Sequence, residues 1–212
     1  GIEYYMGDLG VISLFGFYKD IENFTYAINL AGTGEWADFD EAHTYGNGDD
    51  ASLYGVEFAY SQKLDMLPGL WSNLLLGANV TVSRSKADVT DFIDGEAWTR
   101  RIDLPNQSDK VGNLMLGWEN DALSLRLSAN YKSSFLDELS SIDDPEHDLF
   151  ADAQTFVDFT ARYNISNQLQ VYFEAQNLTN EAYYIYTGRK GLNAQYEEYG
   201  SSFRLGITFT HF

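Results

Sequence analysis

Chemistry in this chain would have to come from scattered histidines, a surplus of carboxylates, and a set of aromatic and basic residues. His43, His147 and His211 lie far apart and lack the spacing of metal ligands, so no metal site is expected of them. Glu197 and Glu198 invite an acid–base reading, but adjacent residues on a strand point to opposite faces. There is no Gly-x-Ser-x-Gly elbow, Walker loop or dinucleotide fingerprint. The glycine-rich "GNGDDAS" at 46–52 lacks the following Lys and helix, so it is expected to be a loop. No catalytic constellation emerges, and the chain is expected to be a binding protein, not an enzyme.

Two acidic runs remain. Glu35, Asp38, Asp40, Glu41, Asp49 and Asp50 form one; Asp137, Glu138, Asp143, Asp144, Glu146, Asp148 and Asp152 form the other. Clustered carboxylates suit Ca²⁺, but neither run has the regular spacing of a calcium loop, and a solvated acidic loop is the plainer reading. No cofactor is expected. Trp36, Trp98, Tyr184 and Tyr186 lie in or beside the same kind of segment, with Arg100, Arg101 and Arg189 near them in sequence. Flat aromatic faces stack on sugar rings and guanidinium groups bond hydroxyls, so these seven are the candidate ligand residues; ordinary loop packing is the alternative for each.

The elements that must position them read as strands throughout. With 32 acids against 13 bases and a formal charge of -19, the chain lacks the basic face that nucleic acid requires. It has no Cys, hence no disulfide frame or thiolate site. No stretch approaches the ~18 apolar residues of a membrane helix, which leaves membrane strands open. Hydrophobic residues make up 44% of the chain, yet mean hydropathy is -0.31. The apolar residues are therefore interleaved with polar ones, as in a sheet with one apolar face. The start, "GIEYYMGDLG", lacks the features of a signal peptide and is expected to lie inside a strand of a longer chain.

Strand-like segments fall at about 1–6, 10–29, 52–66, 73–86, 110–119, 122–134, 154–165, 169–177 and 195–212. Short connections (7–10, 65–72, 120–121, 166–168) take turns with long, mostly polar ones (30–51, 87–109, 135–153, 178–194). That alternation is the layout of an outer-membrane barrel. A two-residue turn at Asn120-Asp121 would set Trp118 against Leu123, Leu116 against Leu125 and Leu114 against Leu127. A three-residue turn at Ser166–Gln168 would set Tyr163 against Val171, Ala161 against Phe173 and Phe159 against Ala175. The opposite face would carry Arg126, Arg162, Glu174 and Arg204, too many charges for a packed core. Glu174 would lie diagonal to Arg162, within reach of an ion pair. A soluble lipocalin-like barrel with Leu123, Leu125 and Leu127 inward also alternates, so pattern alone leaves both open; strand length and aromatics near strand ends favour the membrane.

Near the C-terminus, "VYFEAQNLTNEAYY" and "QYEEYGSSFRLGITF" closely resemble the end of TonB-dependent outer-membrane receptors. "FYKDIENF", "YGVEFAYSQKLDMLPGLWSNL" and "LPNQSDKVGNL" extend the resemblance over nearly the whole chain. The pattern is most similar to the proteobacterial branch associated with oligosaccharide uptake. The resemblance implies an all-β, antiparallel transmembrane barrel of about 22 strands with a plugged lumen, of which residues 1–212 would be about the last nine strands. The plug, the segment that meets TonB and the first barrel strands would lie outside this chain. Arg126, Arg162, Glu174 and Arg204 would then face lumen and plug. Phe209 and Phe212 would form the terminal signal for the barrel-assembly machinery, with Phe212 out of phase because His211 occupies the apolar register.

The implied role is TonB-driven import across the outer membrane of a Gram-negative bacterium. The expected solute is an extracellular oligosaccharide, with a ferric siderophore as the alternative. Outer-membrane lipid and lipopolysaccharide are expected neighbours. A small self-contained barrel with a structural or adhesive role is a rival reading, disfavoured by the odd strand count.

Overall fold

The structure is a computed structural model that describes residues 1–7, 10–31, 34–93, 96–140 and 142–210. Alternation of apolar and polar residues builds one long antiparallel meander. Its strands are β1 (Ile2–Tyr5), β2 (Gly10–Glu22), β5 (Asp50–Lys63), β6 (Leu74–Ile93), β8 (Lys110–Glu119), β9 (Leu123–Lys132), β12 (Gln154–Asn164), β13 (Leu169–Gln176) and β16 (Ser202–Phe209). They neighbour one another in that order, and β7 (Glu96–Ile102) adds to the far end of β6. The nine expected strand segments are all present. β1 and β16 are the two edges, so the wall is an arc and not a closed barrel.

Register makes the wall two-sided. Ile2, Leu14, Phe58, Val80, Gly112 and Tyr131 lie in one cross-strand row, and Leu116, Leu127, Phe159, Ala175 and Phe203 in another, all on one face. That face is uncovered: Leu114 is 59% exposed, Phe203 66% and Leu205 74%. Soluble monomers rarely leave so continuous an apolar surface bare, and such a surface marks a membrane or protein interface. The opposite face carries Asn79, Asn113, Arg126, Asn130, Thr160, Arg162, Glu174 and Arg204, including an Asn113–Asn79 side-chain bond of 2.7 Å.

Three expectations need correction. The β8–β9 register is displaced by two: Trp118 faces Leu125, Leu116 faces Leu127 and Leu114 faces Ala129. Asn120 is the cause. Its Oδ1 accepts from the N–H groups of Ala122 (3.0 Å) and Leu123 (2.7 Å), and its own N–H donates to the Leu123 carbonyl (2.9 Å). The reversal therefore spans 120–123, and a slip of two keeps every side chain on its face. The expected strand 10–29 breaks at Asn23, whose φ is 53°; the expected strand 195–212 likewise divides, its last two residues lying outside the described ones.

The third correction concerns the long connections, which are not plain polar loops. Residues 25–47 hold the hairpin β3 (Thr25–Asn29) with β4 (His43–Asn47). β6 runs on to Ile93 and returns as β7. β10 (Phe135–Glu138), β11 (Leu149–Ala151), β14 (Tyr183–Thr187) and β15 (Asn193–Glu197) form a second, four-stranded sheet. The polar face of the wall changes character where these elements meet it. Along β6 it passes from Asn79, Thr81, Ser83 and Ser85 to Ala87 and Val89. Phe24, Tyr26 and Ile28, alternate residues of the inturned hairpin, pack there with Ala51, Ile102, Leu136, Leu139 and Ile142 into the buried core.

The "NLTNE" stretch is the corner that separates the wall from this cap. Asn177 takes φ 54° and Asn180 φ 50°, left-handed positions that Asn tolerates. The Asn177 side chain accepts from Glu181 N–H (2.8 Å) and donates to the carbonyls of Glu181 (3.2 Å) and Gly200 (3.1 Å). Its backbone N–H reaches Asp158 Oδ1 (2.9 Å), and Ser201 Oγ reaches its carbonyl (2.7 Å). One residue, through its backbone N–H and its side chain, thus ties β12, β13 and the entry to β16 together.

Candidate functional site

In the four-stranded sheet, alternation places Tyr184 and Tyr186 on the same face of β14. Pairing then extends that face: Tyr186 stands opposite Phe150, Phe150 opposite Leu136, and Tyr184 opposite Tyr196. Phe150 and Tyr186 stack with centroids 5.6 Å apart and planes at 14°. Tyr184 lies 6.0 Å from Tyr186 and 6.2 Å from Tyr196. The result is a stripe of four rings anchored at one end on the buried Leu136.

Arg100 and Arg101 flank the root of this stripe but point to opposite faces of β7. Arg100, opposite Val89, forms an ion pair with Asp148, whose side chain is 1% exposed. Asp148 Oδ1 also lies 3.3 Å from the Ser140 N–H, and the Asp148 carbonyl accepts from Gly188 (2.8 Å). A buried carboxylate of this kind needs all of its partners, so Asp148 joins β7, the β10–β11 connection and the β14–β15 turn. Arg101 faces outward and binds Asp88 through Nε (2.7 Å) and Nη2 (2.8 Å). Those hydrogen bonds hold the Asp88 carboxyl below its ordinary range against a small opposing effect of burial. Both arginines line a cleft of about 520 Å³, with Arg84, Lys86, Asp103 and Phe150 on its walls. Burial, with Asp109 nearby, pushes the Asp103 carboxyl up.

The other candidates lie apart. Trp98 stands opposite Asp91 on the Arg100 face of β7 and is 49% exposed. Trp36 ends a 3-10 turn (Gly34–Trp36) and meets Phe39 edge-on at 5.6 Å. Arg189 sits in the β14–β15 turn, beside a cleft of about 490 Å³ lined by His147, Gly188 and Leu192. Next to Arg189 in the chain, Lys190 pairs with Asp152 at 2.6 Å, which raises the lysine's affinity for its proton. As site residues Phe150, Tyr196 and Lys190 go unmarked in the sequence, and Asp148 is marked only as one member of an acidic run. Nothing local marks their roles, because these depend on pairings between segments tens of residues apart.

The acidic runs are partly consumed in ion pairs and in contacts with histidine. Besides Asp148 and Asp152, Glu138 lies 2.8 Å from His43 and Asp144 2.6 Å from His147. On the wall, Glu174 pairs with Arg204 (3.3 Å) and not with Arg162, since Arg204 stands directly opposite while Arg162 is diagonal. Among the described residues, Arg126 and Arg162 have no carboxylate within ion-pair distance. Phe209 stands opposite Leu169, 65% exposed on the apolar face. Phe212 and His211 lie outside the described residues.

Residues 1–178 match the family described as TonB dependent receptor-like, beta-barrel. No curated protein matches the chain. Among solved structures, it is similar to the siderophore receptor PiuA from Acinetobacter baumannii (TM-score 0.65, 15% identity, 98% of this chain and 27% of that one). It is also similar to the ferric enterobactin receptor PfeA from Pseudomonas aeruginosa (TM-score 0.58, 16% identity, 97% and 29%). A third is the ferric-catecholate import receptor Fiu from E. coli (TM-score 0.58, 15% identity, 96% and 26%). At these identities the likeness is one of fold, and the chain spans less than a third of each structure's length.

Proposed function

Since the chain belongs to the TonB-dependent receptor-like β-barrel family, we propose that it is the outer-loop-bearing wall of an importer. In this reading the receptor captures an extracellular oligosaccharide and passes it to the periplasm with energy from TonB. The observation that carries it is the stripe Phe150, Tyr186, Tyr184 and Tyr196, with ring centroids 5.6 to 6.2 Å apart. Successive flat faces suit the apolar faces of successive sugar rings. The cations beside the stripe support a neutral ligand, because Arg100, Arg101 and Lys190 are already neutralised by Asp148, Asp88 and Asp152. Trp98 and Arg189 would extend the surface, and Trp36 would approach it only from the separate loop. Arg126, Arg162, Glu174 and Arg204 would meet the plug across the lumen. Phe209 and Phe212 would serve recognition by the assembly machinery.

A ferric siderophore is the second reading, favoured by what the three similar structures are named for. Catechol rings also stack on tyrosine, but a highly anionic complex would have to open the existing ion pairs. Binding of neutral oligosaccharides and of ferric siderophores to the full-length receptor separates the two. For the sugar reading, Tyr184→Ala with Tyr186→Ala is expected to weaken binding about tenfold to a hundredfold, at ~0.5–1.5 kcal/mol per lost aromatic contact. Tight ferric-complex binding with no sugar binding would select the alternative.

A further inference from the structure

The short turns at the far end of the wall from the cap differ in kind. Those after β8 and β12 carry Asn120 and Asp121, and Ser166, Asn167 and Gln168. The turn over residues 64–73 instead carries Met66, Leu67, Leu70 and Trp71, which are 66%, 38%, 72% and 65% exposed. It is closed by bonds from Leu64 N–H to the Leu74 carbonyl (2.8 Å) and from Ser72 Oγ to the Gly69 carbonyl (2.7 Å). Gly69, at φ 62°, starts the 3-10 helix Gly69–Asn73. So this is a built turn that shows its apolar side chains outward.

One bond fixes the side of the wall on which it sits. Trp118 Nε1 donates to the Leu70 carbonyl at 2.8 Å. Trp118 belongs to the apolar face, opposite Leu74 and Leu125. The turn therefore leans against the same bare face as the membrane-facing rows, and its apolar residues continue that surface past the strand ends. A periplasmic protein would meet the tips of the turns, the polar ones included. The feature that sets this turn apart is continuity with the lipid-facing wall.

We propose that residues 64–73 form a membrane foot: Met66, Leu70 and Trp71 enter the head-group and upper acyl region of the periplasmic leaflet. An exposed group of apolar residues continuous with such a face marks an interaction site. Trp is the residue type that settles at the membrane–water boundary, and apolar residues buried a few ångströms into that region bind in proportion to their area. The inference rests on the outer-membrane reading of the family.

The test uses the full-length receptor, free of other cysteines, with an environment-sensitive label at Leu70→Cys, Asp121→Cys or Leu205→Cys. Each is reconstituted in phospholipid vesicles and also studied in native envelopes made permeable to small ions. Iodide quenching at position 70 is expected to be about tenfold weaker than at 121, with strong quenching by a lipid carrying its quencher near the head group. Equal iodide access at 70 and 121 overturns the foot. So does shielding in envelopes that disappears in pure lipid, which would assign the patch to a protein partner. The wall label at 205 reports the premise separately: if it too meets iodide, the membrane reading falls and the foot with it.

Discussion

On the wall, Leu205 is 74% exposed while Arg204, its neighbour in the chain, turns to the other face; in the cap at the wall's far end, Leu136 is 4% exposed and Val89 fully buried. One chain thus sorts the same residue types in opposite directions. The wall puts apolar side chains where lipid would stand and keeps ions inside. The cap, in water, folds hairpins inward and builds an ordinary small core from Phe24, Tyr26, Ile28, Leu136 and Leu139. Both regions obey the same alternation; what differs is the solvent on each side. β6 shows the change within a single strand, as its inner face turns from Ser83 and Ser85 to Ala87 and Val89 under the β3–β4 hairpin.

That contrast can be broken most severely from the cap. Asp148→Ala leaves Arg100 without its carboxylate in a part-buried site and is expected to cost about 3–5 kcal/mol of local stability. Limited proteolysis of the full-length receptor would show early cleavage in 135–153 with the wall intact. A double change, Arg100→Met with Asp148→Leu, should recover most of the loss. If the single variant left the cap protease-resistant, Asp148 would not be the joint between its elements.

The wall is broken by changing its face. Phe173→Arg puts a cation on the apolar side and is expected to cost about 2–4 kcal/mol if it lies near the bilayer midplane. Thr160→Arg, on the inner face, should cost far less. Heat-modifiability of the receptor on gels compares the two, and equal losses would contradict the facing. The smallest effect sharpens the boundary between the regions. Asp88, held below its usual 3.8 by Arg101, contributes stability that is present above that pH and lost as pH falls through the lower folded value. Hydrogen exchange in the β6–β7 hairpin should therefore quicken slightly in strong acid, and less so in Asp88→Asn.

The sequence was most legible where pairing is local. The β12–β13 register follows from a three-residue turn and holds at Phe159–Ala175, Ala161–Phe173 and Tyr163–Val171. The β8–β9 register slips by two because the Asn120 side chain closes a longer reversal, a detail that alternation cannot sense since both registers keep the same faces. "NLTNE" stood out by resemblance, and Asn177 gives it a physical reason: one left-handed residue whose backbone N–H holds Asp158 of β12 while its side chain holds Glu181 and Gly200. The aromatic stripe was only half visible. Tyr184 and Tyr186 are candidates from their type, while the strand that gives them a common face lies in a segment, 178–194, that reads as a loop. Phe150 and Tyr196 join them through β11, which has no local signature, and β15, whose residues 195–197 read as the start of one final strand.

Sequence by itself determined the nine-strand meander, its two-sidedness and the places of its short turns, because alternation with period two and short reversals are encoded residue by residue. Tertiary structure alone decided the cap. Which loop strand pairs with which, which carboxylate is buried against Arg100, and which rings align are set by contacts between distant segments. Those contacts form only when the wall brings the loops to one end, and no short stretch of chain carries their energy.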